Sequence, residues 1–359
     1  MNKHYLLTPG PTPVPKEIQD EMAKPIIHHR TPQYKEIFRA ANESMKKIFK
    51  TRGEVVTFTS SGTGAMEASV INTLSKGDTA IVVRGGKFGE RFAEICQAYG
   101  VGVIPIDVEW GTAPEVSEIK SALEKNKGVK AVFVTLCETS TATVYDIKAI
   151  GEVVAKTDAI LVVDAISGLG ADEFKTDEWK VDIAISGSQK GLMIPPGLAF
   201  CALSEKAWKT ERTSDLPKYY FDLKKYKKSL EKSDVPFTPA ITLMIGLKKA
   251  LSLIETEGVD NYIKRHKEDA KYVRNEIKSM GLELFSKSPS NAVTAVKVPE
   301  GIDGANLIKS LKTKSISFAG GQGSFKGKIF RIAHMGGIRR EDLKHALKVL
   351  KETLSEIKK

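Results

Sequence analysis

Short runs of apolar, largely β-branched residues alternate along this chain with stretches in which apolar positions recur every three to four residues. The runs are TAIVVR (79–84), VGVIPIDV (101–108), KAVFVTL (130–136), AILVVDAI (159–166), VDIAIS (181–186) and GLAFCALS (197–204). Their unbroken hydrophobicity predicts strands covered on both faces. Between them FGERFAEICQAYG, PEVSEIKSALEKN and DIKAIGEVVAKTD, each closing on Gly, Asn or Asp, predict amphipathic helices. Strand and helix repeated in this way give an α/β fold, a mostly parallel sheet flanked by helices, with ligands expected at the carboxyl ends of the strands. From about residue 238 the pattern turns helical. A mixed segment with NAVTAVKV, ANLIKSLKTK, KIFRIAH and a closing helix then predicts a smaller C-terminal α+β domain from residue 260.

Composition narrows the function classes. A chain of 359 residues, 41% of them hydrophobic, can bury one large core and a second smaller one. No apolar run approaches the roughly 20 residues of a membrane helix. The opening MNKHYLLTPGPTPVPKE is broken by prolines and does not read as a secretion signal, which predicts a cytoplasmic protein without membrane partners. Cys96, Cys137 and Cys201 fit neither a disulfide framework nor a zinc site and read as reduced core residues. The net charge of +11 comes from lysines interleaved with acids, as in DLKKYKKSLEKSD, so it reads as solvated helical faces and not as a nucleic-acid surface.

Three small clusters at strand ends carry candidate chemistry. In TSSGTGAMEAS, Ser60, Ser61, Gly62, Thr63 and Gly64 precede a helical pattern, and bare N–H groups at a helix start bind anions such as phosphate; taken alone, such a stretch is an ordinary cap. Asp164 ends an apolar strand, where an acid is commonly a turn residue. Lys190, in VDIAISGSQKGLMIPPG, stands at a strand mouth, where burial lowers a lysine's pKa and leaves an amine able to form an imine with an aldehyde. A phosphate nest, an acid for a ring nitrogen and an amine for an aldehyde are together what pyridoxal 5'-phosphate needs.

With these residues in view the sequence resembles the class V, fold type I aminotransferases, on the branch of the alanine:glyoxylate and serine:pyruvate enzymes. The likeness runs through LLTPGPTPVP, SSGTGAMEA, GKFGERF, ETSTA, VVDAISGLG, SGSQKGLMIPPG, FTPAI and AGGQGSFKGKIFRIAHMG. It implies an N-terminal active-site segment (1–15), a large cofactor-binding domain (16–259) and a small C-terminal domain (260–359). It implies further that Lys190 holds the cofactor as an imine and moves the substrate proton, and that Asp164 keeps the ring nitrogen protonated. Phe88 would stack on the ring, Thr139 bond its hydroxyl, and Ser61, Gly62, Thr63 and Gln189 bind the phosphate. Thr238 would reach a partner's phosphate site in a homodimer with shared active sites. Gly10 would lie beside the substrate, and Arg331 would clamp its α-carboxylate with a planar fork.

The resemblance has departures: Leu136 where the family often has His, Ala142 where Gly often closes the motif, and Val235 where a tyrosine is expected. The pair His28–His29 has no third ligand in view and predicts no metal site; His334 reads as a structural neighbour of Arg331. One clamp suits monocarboxylates, so the expected partners are alanine or serine as donor and glyoxylate or pyruvate as acceptor. A dicarboxylate such as aspartate needs a second cation, for which Arg30, Lys326 and Lys328 are the candidates. Two rivals stand beside the aminotransferase. A desulfurase or lyase on the same scaffold is one, although FAGGQGSFKG lacks the nucleophilic cysteine a desulfurase needs. A non-catalytic, subunit-like protein is the other, and retention of Lys190, Asp164 and Arg331 together argues against it.

Overall fold

The computed structural model describes residues 3–357, so residues 1–2 and 358–359 of the expected terminal segments lie outside the described residues. Its central sheet has seven strands: β1 (Glu54–Phe58), β2 (Thr79–Arg84), β3 (Gly102–Asp107), β4 (Ala131–Thr135), β5 (Ile160–Asp164), β6 (Ile183–Gly187) and β7 (Ala199–Leu203). Their order is β1-β7-β6-β5-β4-β2-β3. Strand β7 runs antiparallel to both neighbours and all other pairs are parallel. The six apolar runs are therefore strands. Their continuous hydrophobicity has a simple cause, because alternate residues serve opposite cores: Val132, Val134, Leu161 and Val163 pack with the helices on one face, Ala131, Phe133, Ile160 and Val162 with those on the other.

Three features lie outside the sequence prediction. Strand β1, EVVTF, mixes Glu and Thr with apolar residues, and it is fixed by register against β7 (Phe58 opposite Ala199). The helix Pro32–Phe49 starts at Thr31, whose hydroxyl accepts Tyr34 N–H, with proline at its first position; the RTP of HHRTP is this helix start. The reversal of β7 follows from its connection. Residues 188–198 contain no helix, and a parallel crossover needs one or an equally long path.

The C-terminal part carries a small antiparallel sheet of β8 (Val293–Lys297), β9 (Ala319–Gly320) and β10 (Ile329–Ala333), with β10 in the middle. The helices Val259–Ser279 and Arg340–Ile357 pack against it. The N-terminal residues Tyr5–Leu6 pair with Ile316–Ser317 of this part. The chain then crosses to the large sheet, where Thr12 N–H donates to Gln189 O at 3.0 Å. The carboxyl ends of β1, β2, β4, β5 and β6 thus face one edge, closed over by the small sheet and the N-terminal segment. Among the described residues no helix is long and apolar enough to cross a membrane.

Candidate active site

A cleft of about 310 Å³ lies at that edge, within the size range of small-ligand sites. Its lining includes Gly10, Ser61, Gly62, Thr63, Phe88, Thr139, Asp164, Gln189 and Lys190. Nine of the expected residues, from five strand ends and the N-terminal crossing, therefore meet in one place.

Lys190 follows β6 and is 8% exposed. Its amine donates to Pro9 O, and its backbone carbonyl accepts from Thr12 Oγ1 at 3.0 Å and Met193 N at 3.1 Å. Burial lowers its pKa to about 8, so a usable fraction of free amine exists near neutrality. Asp164, the last residue of β5, accepts Ile166 N–H at 2.8 Å through Oδ1. Burial raises it to about 7, with that hydrogen bond acting against the rise. An acid and an amine with converging pKa values, both facing one cleft, are a poised pair.

The helix Gly62–Ile71 starts at Ser61, which makes no side-chain cap bond, so the hydroxyl and the first N–H groups are left for a ligand. Gly62 packs on Ile166, where a Cβ would come within 2.4 Å of Cδ1. Close by, Gln189 Oε1 is buried without a hydrogen-bond partner. The amide's two ends are interchangeable by a flip, so the group it lacks is a polar one entering the cleft. A phosphate at the helix start and an aldehyde in reach of Lys190 would fit these residues.

Arg331, central in β10, is 6% exposed. Its Nε and Nη2 donate to Gly320 O at 3.1 and 2.8 Å, and its Nη1 donates to Thr139 O at 2.9 Å. One N–H on each terminal nitrogen has no partner among the described residues, a fork shaped for a carboxylate. Burial lowers its pKa to about 10, and it stays a cation at neutral pH.

Other expectations sort differently. Thr238 lies away from this cleft, in a small hollow with Tyr34, Thr59, Tyr220 and Phe237. Arg30 is paired with Asp234 at 2.7 Å and with Val235 O at 3.1 Å, and Lys326 and Lys328 are exposed; these three candidates for a second cation do not line the cleft. The His28 and His29 rings lie 4.7 Å apart, tilted by 38°, with His28 exposed and His29 half-buried. His334 is fully buried between Asn291 O and Thr294 Oγ1, as a structural neighbour of Arg331. The three cysteines are buried. Ala142 adopts φ +59°, a left-handed conformation that explains why glycine suits this position.

The sequence reading missed Arg91, Ile166 and Ser167, which also line the cleft. Arg91 donates to Thr63 Oγ1 at 3.1 Å and lies 4.8 Å above the Phe88 ring. Its signal was present, since Arg91 follows Phe88 by three residues on one helical face. Ser167 Oγ lies 2.6 Å from Thr139 Oγ1, and nothing in sequence spacing indicated that pair.

Comparison with known proteins bears on the family and the fold. The family profile described as aminotransferase class-V matches residues 4–340. A soluble hydrogenase small subunit of Synechococcus sp. is 41% identical over 99% of this chain and 94% of its own. A serine–glyoxylate aminotransferase of Methylorubrum extorquens is 36% identical over 96% and 89%. Among solved structures, an aspartate aminotransferase of subgroup IV from Thermus thermophilus superposes with a TM-score of 0.92 at 32% identity, covering 98% of this chain and 99% of that one.

Proposed function

This chain belongs to the class-V aminotransferases, and from that premise we propose that it moves the amino group of alanine or serine to glyoxylate or pyruvate in two half-reactions. The observation that carries the reading is the meeting of Lys190, Asp164 and the open helix start at Ser61 around one cleft, with Arg331 outside its lining but held beside it on the carbonyl of Thr139, which does line it. Pyridoxal 5'-phosphate, the cofactor of the family, supplies the aldehyde and the electron-withdrawing ring when bound there. Ser61, Gly62, Thr63 and Gln189 hold its phosphate, Phe88 covers the ring and Thr139 meets the ring hydroxyl. Asp164 keeps a proton at the ring nitrogen. Lys190 anchors the aldehyde and then carries the proton at the substrate's Cα, which its lowered basicity suits. Arg331 grips the α-carboxylate, and Gly10 leaves room beside Lys190.

Thr238, with Tyr219 and Tyr220 exposed nearby, completes a neighbouring subunit's phosphate site in a two-fold homodimer. Three unpaired cysteines agree with a reducing, cytoplasmic setting.

One observation favours a second reading, a dicarboxylate donor such as aspartate: Arg91 puts another cation on the cleft wall. Two relatives are named as subunits of a soluble hydrogenase, which keeps a subunit-like role as a rival; the poised Lys190–Asp164 pair stands against it. Half-reaction rates with alanine, serine, aspartate and glutamate, followed by absorbance and reversed with a 2-oxo acid, test all three. A lead of more than about tenfold for aspartate or glutamate, worth ~1.4 kcal/mol, overturns the monocarboxylate reading. No spectral change with any amino acid overturns the enzyme itself.

A further inference from the structure

The helix Lys87–Ala98 carries Phe88 in its first turn and Arg91 one turn on, and both line the cleft. Its N-terminal N–H groups need acceptors, yet its N-cap is Gly86, which has no side chain to offer. The acceptors come from another element. Glu138, at the end of the segment that follows β4, takes Phe88 N–H and Gly89 N–H on Oε2, both at 3.1 Å. Its Oε1 takes Ser140 N–H at 3.1 Å and Ser140 Oγ–H at 2.6 Å. Ser140 Oγ in turn accepts Lys87 N–H at 3.1 Å. Glu138 is wholly buried. Four donors and the positive end of a helix are what make a buried carboxylate tolerable.

The fit is close. A Cβ on Gly86 would stand 2.3 Å from Ser140 Oγ and 2.5 Å from Glu138 Cδ, so only glycine lets the helix start come this near. The next residue, Thr139, accepts Arg331 Nη1–H on its carbonyl and shares a hydrogen bond between its hydroxyl and that of Ser167. One short segment therefore grips the helix that bears Phe88 and the arginine of the carboxylate clamp.

We infer that Glu138 is a positioning residue: capping the helix from outside, it fixes the Phe88 ring over the cleft, and its negative charge faces the Arg331 guanidinium through the Thr139 peptide. The inference rests on the cofactor reading above. Glu138→Gln keeps the shape but turns an NH2 either toward Phe88 and Gly89 N–H, which then lose their acceptor, or toward Ser140, whose N–H then loses its own; in both cases the charge facing the helix start is gone.

The test measures pyridoxal 5'-phosphate affinity by fluorescence quenching, together with donor kinetics. In Glu138→Gln the cofactor dissociation constant should rise at least tenfold and kcat should fall, while the donor KM stays level or drops, since Arg331 keeps its carbonyl anchors and loses a competing negative charge. General structural damage would raise both constants together, and that outcome overturns the inference, as does unchanged cofactor affinity in a folded variant. In a Phe88→Leu background the effect of Glu138→Gln on affinity should shrink below threefold; a full effect there sinks the proposed route through Phe88. If Glu138→Gln does not fold, Ser140→Ala, which removes only the Lys87 acceptor and one donor to Glu138, should weaken cofactor binding two- to fivefold, and no change refutes the inference. Failure of the unmutated protein to bind the cofactor would instead condemn the cofactor reading.

Discussion

Gly10 faces Lys190 so closely that a Cβ there would lie 2.5 Å from Cε and 2.6 Å from Nζ of the lysine. It also has φ +123°, which few other residues adopt. The crossing of the N-terminal segment thus doubles as one wall of the lysine's slot.

Gly10→Ala should therefore displace the Lys190 side chain. A shift of about 1 Å in a reacting group costs on the order of a hundredfold in rate. Turnover should fall by about that factor, with a much smaller loss of unfolding temperature because the loop is at the surface of the core. Full activity in Gly10→Ala would mean that the slot is looser than the contacts indicate.

Lys190 should titrate near pH 8 in the cofactor-free protein, because burial disfavours its charged form. Labelling by an amine-reactive reagent, read by peptide mapping, should rise about tenfold per pH unit up to about 8 and then level, whereas exposed lysines keep rising toward ~10.4. A Lys190 profile parallel to the surface lysines contradicts this. Lys190→Ala should lose several orders of magnitude in turnover, since anchor and proton carrier are one group.

Asp164 sets function against stability. Its folded pKa is raised to about 7 from 3.8. The stability it contributes is therefore present below pH 3.8 and is lost as pH rises through about 7, amounting to up to ~4 kcal/mol in the cofactor-free protein. Asp164→Asn should raise the unfolding temperature of cofactor-free protein at pH 8, have little effect near pH 4, and cut turnover more than tenfold. A lower unfolding temperature at pH 8 would show that the carboxylate is compensated by contacts beyond Ile166.

His266 joins the two parts of the molecule. Its Nδ1 lies 2.8 Å from Gly170 O, beyond the Asp164 strand, and its Nε2 accepts Gly336 N–H at 3.0 Å, beyond the Arg331 strand. Tyr262, one turn earlier, donates to Gly191 O at 2.6 Å. His266→Leu leaves two buried backbone groups unpaired, a loss of about 2–4 kcal/mol, and should raise donor KM as Arg331 drifts from Lys190. Burial lowers His266 to about 3. The unfolded chain takes up a proton below about pH 6.5 that the folded one refuses, so stability falls with acid. In His266→Gln the proton uptake on unfolding at pH 5 should drop by about one; an unchanged uptake would show that His266 is protonated in the fold.

The sequence determined the six apolar strands, the helices between them, and Lys190, Asp164 and the SSGTG stretch as strand-end chemistry. It could do so because those features rest on local causes: unbroken hydrophobicity in strands that serve two cores, and polar residues at the points where such strands end. Strand β1 and the reversed β7 were decided by pairing partners far away in the chain. The roles of Glu138, Arg91 and His266 came from tertiary structure as well. Glu138 caps a helix that begins about fifty residues earlier, and His266 bridges loops on either side of it in sequence by about 70 to 100 residues. A hydrogen bond needs only a few ångströms in space and carries no periodicity along the chain, so a side chain that serves another element's backbone leaves no local pattern to read.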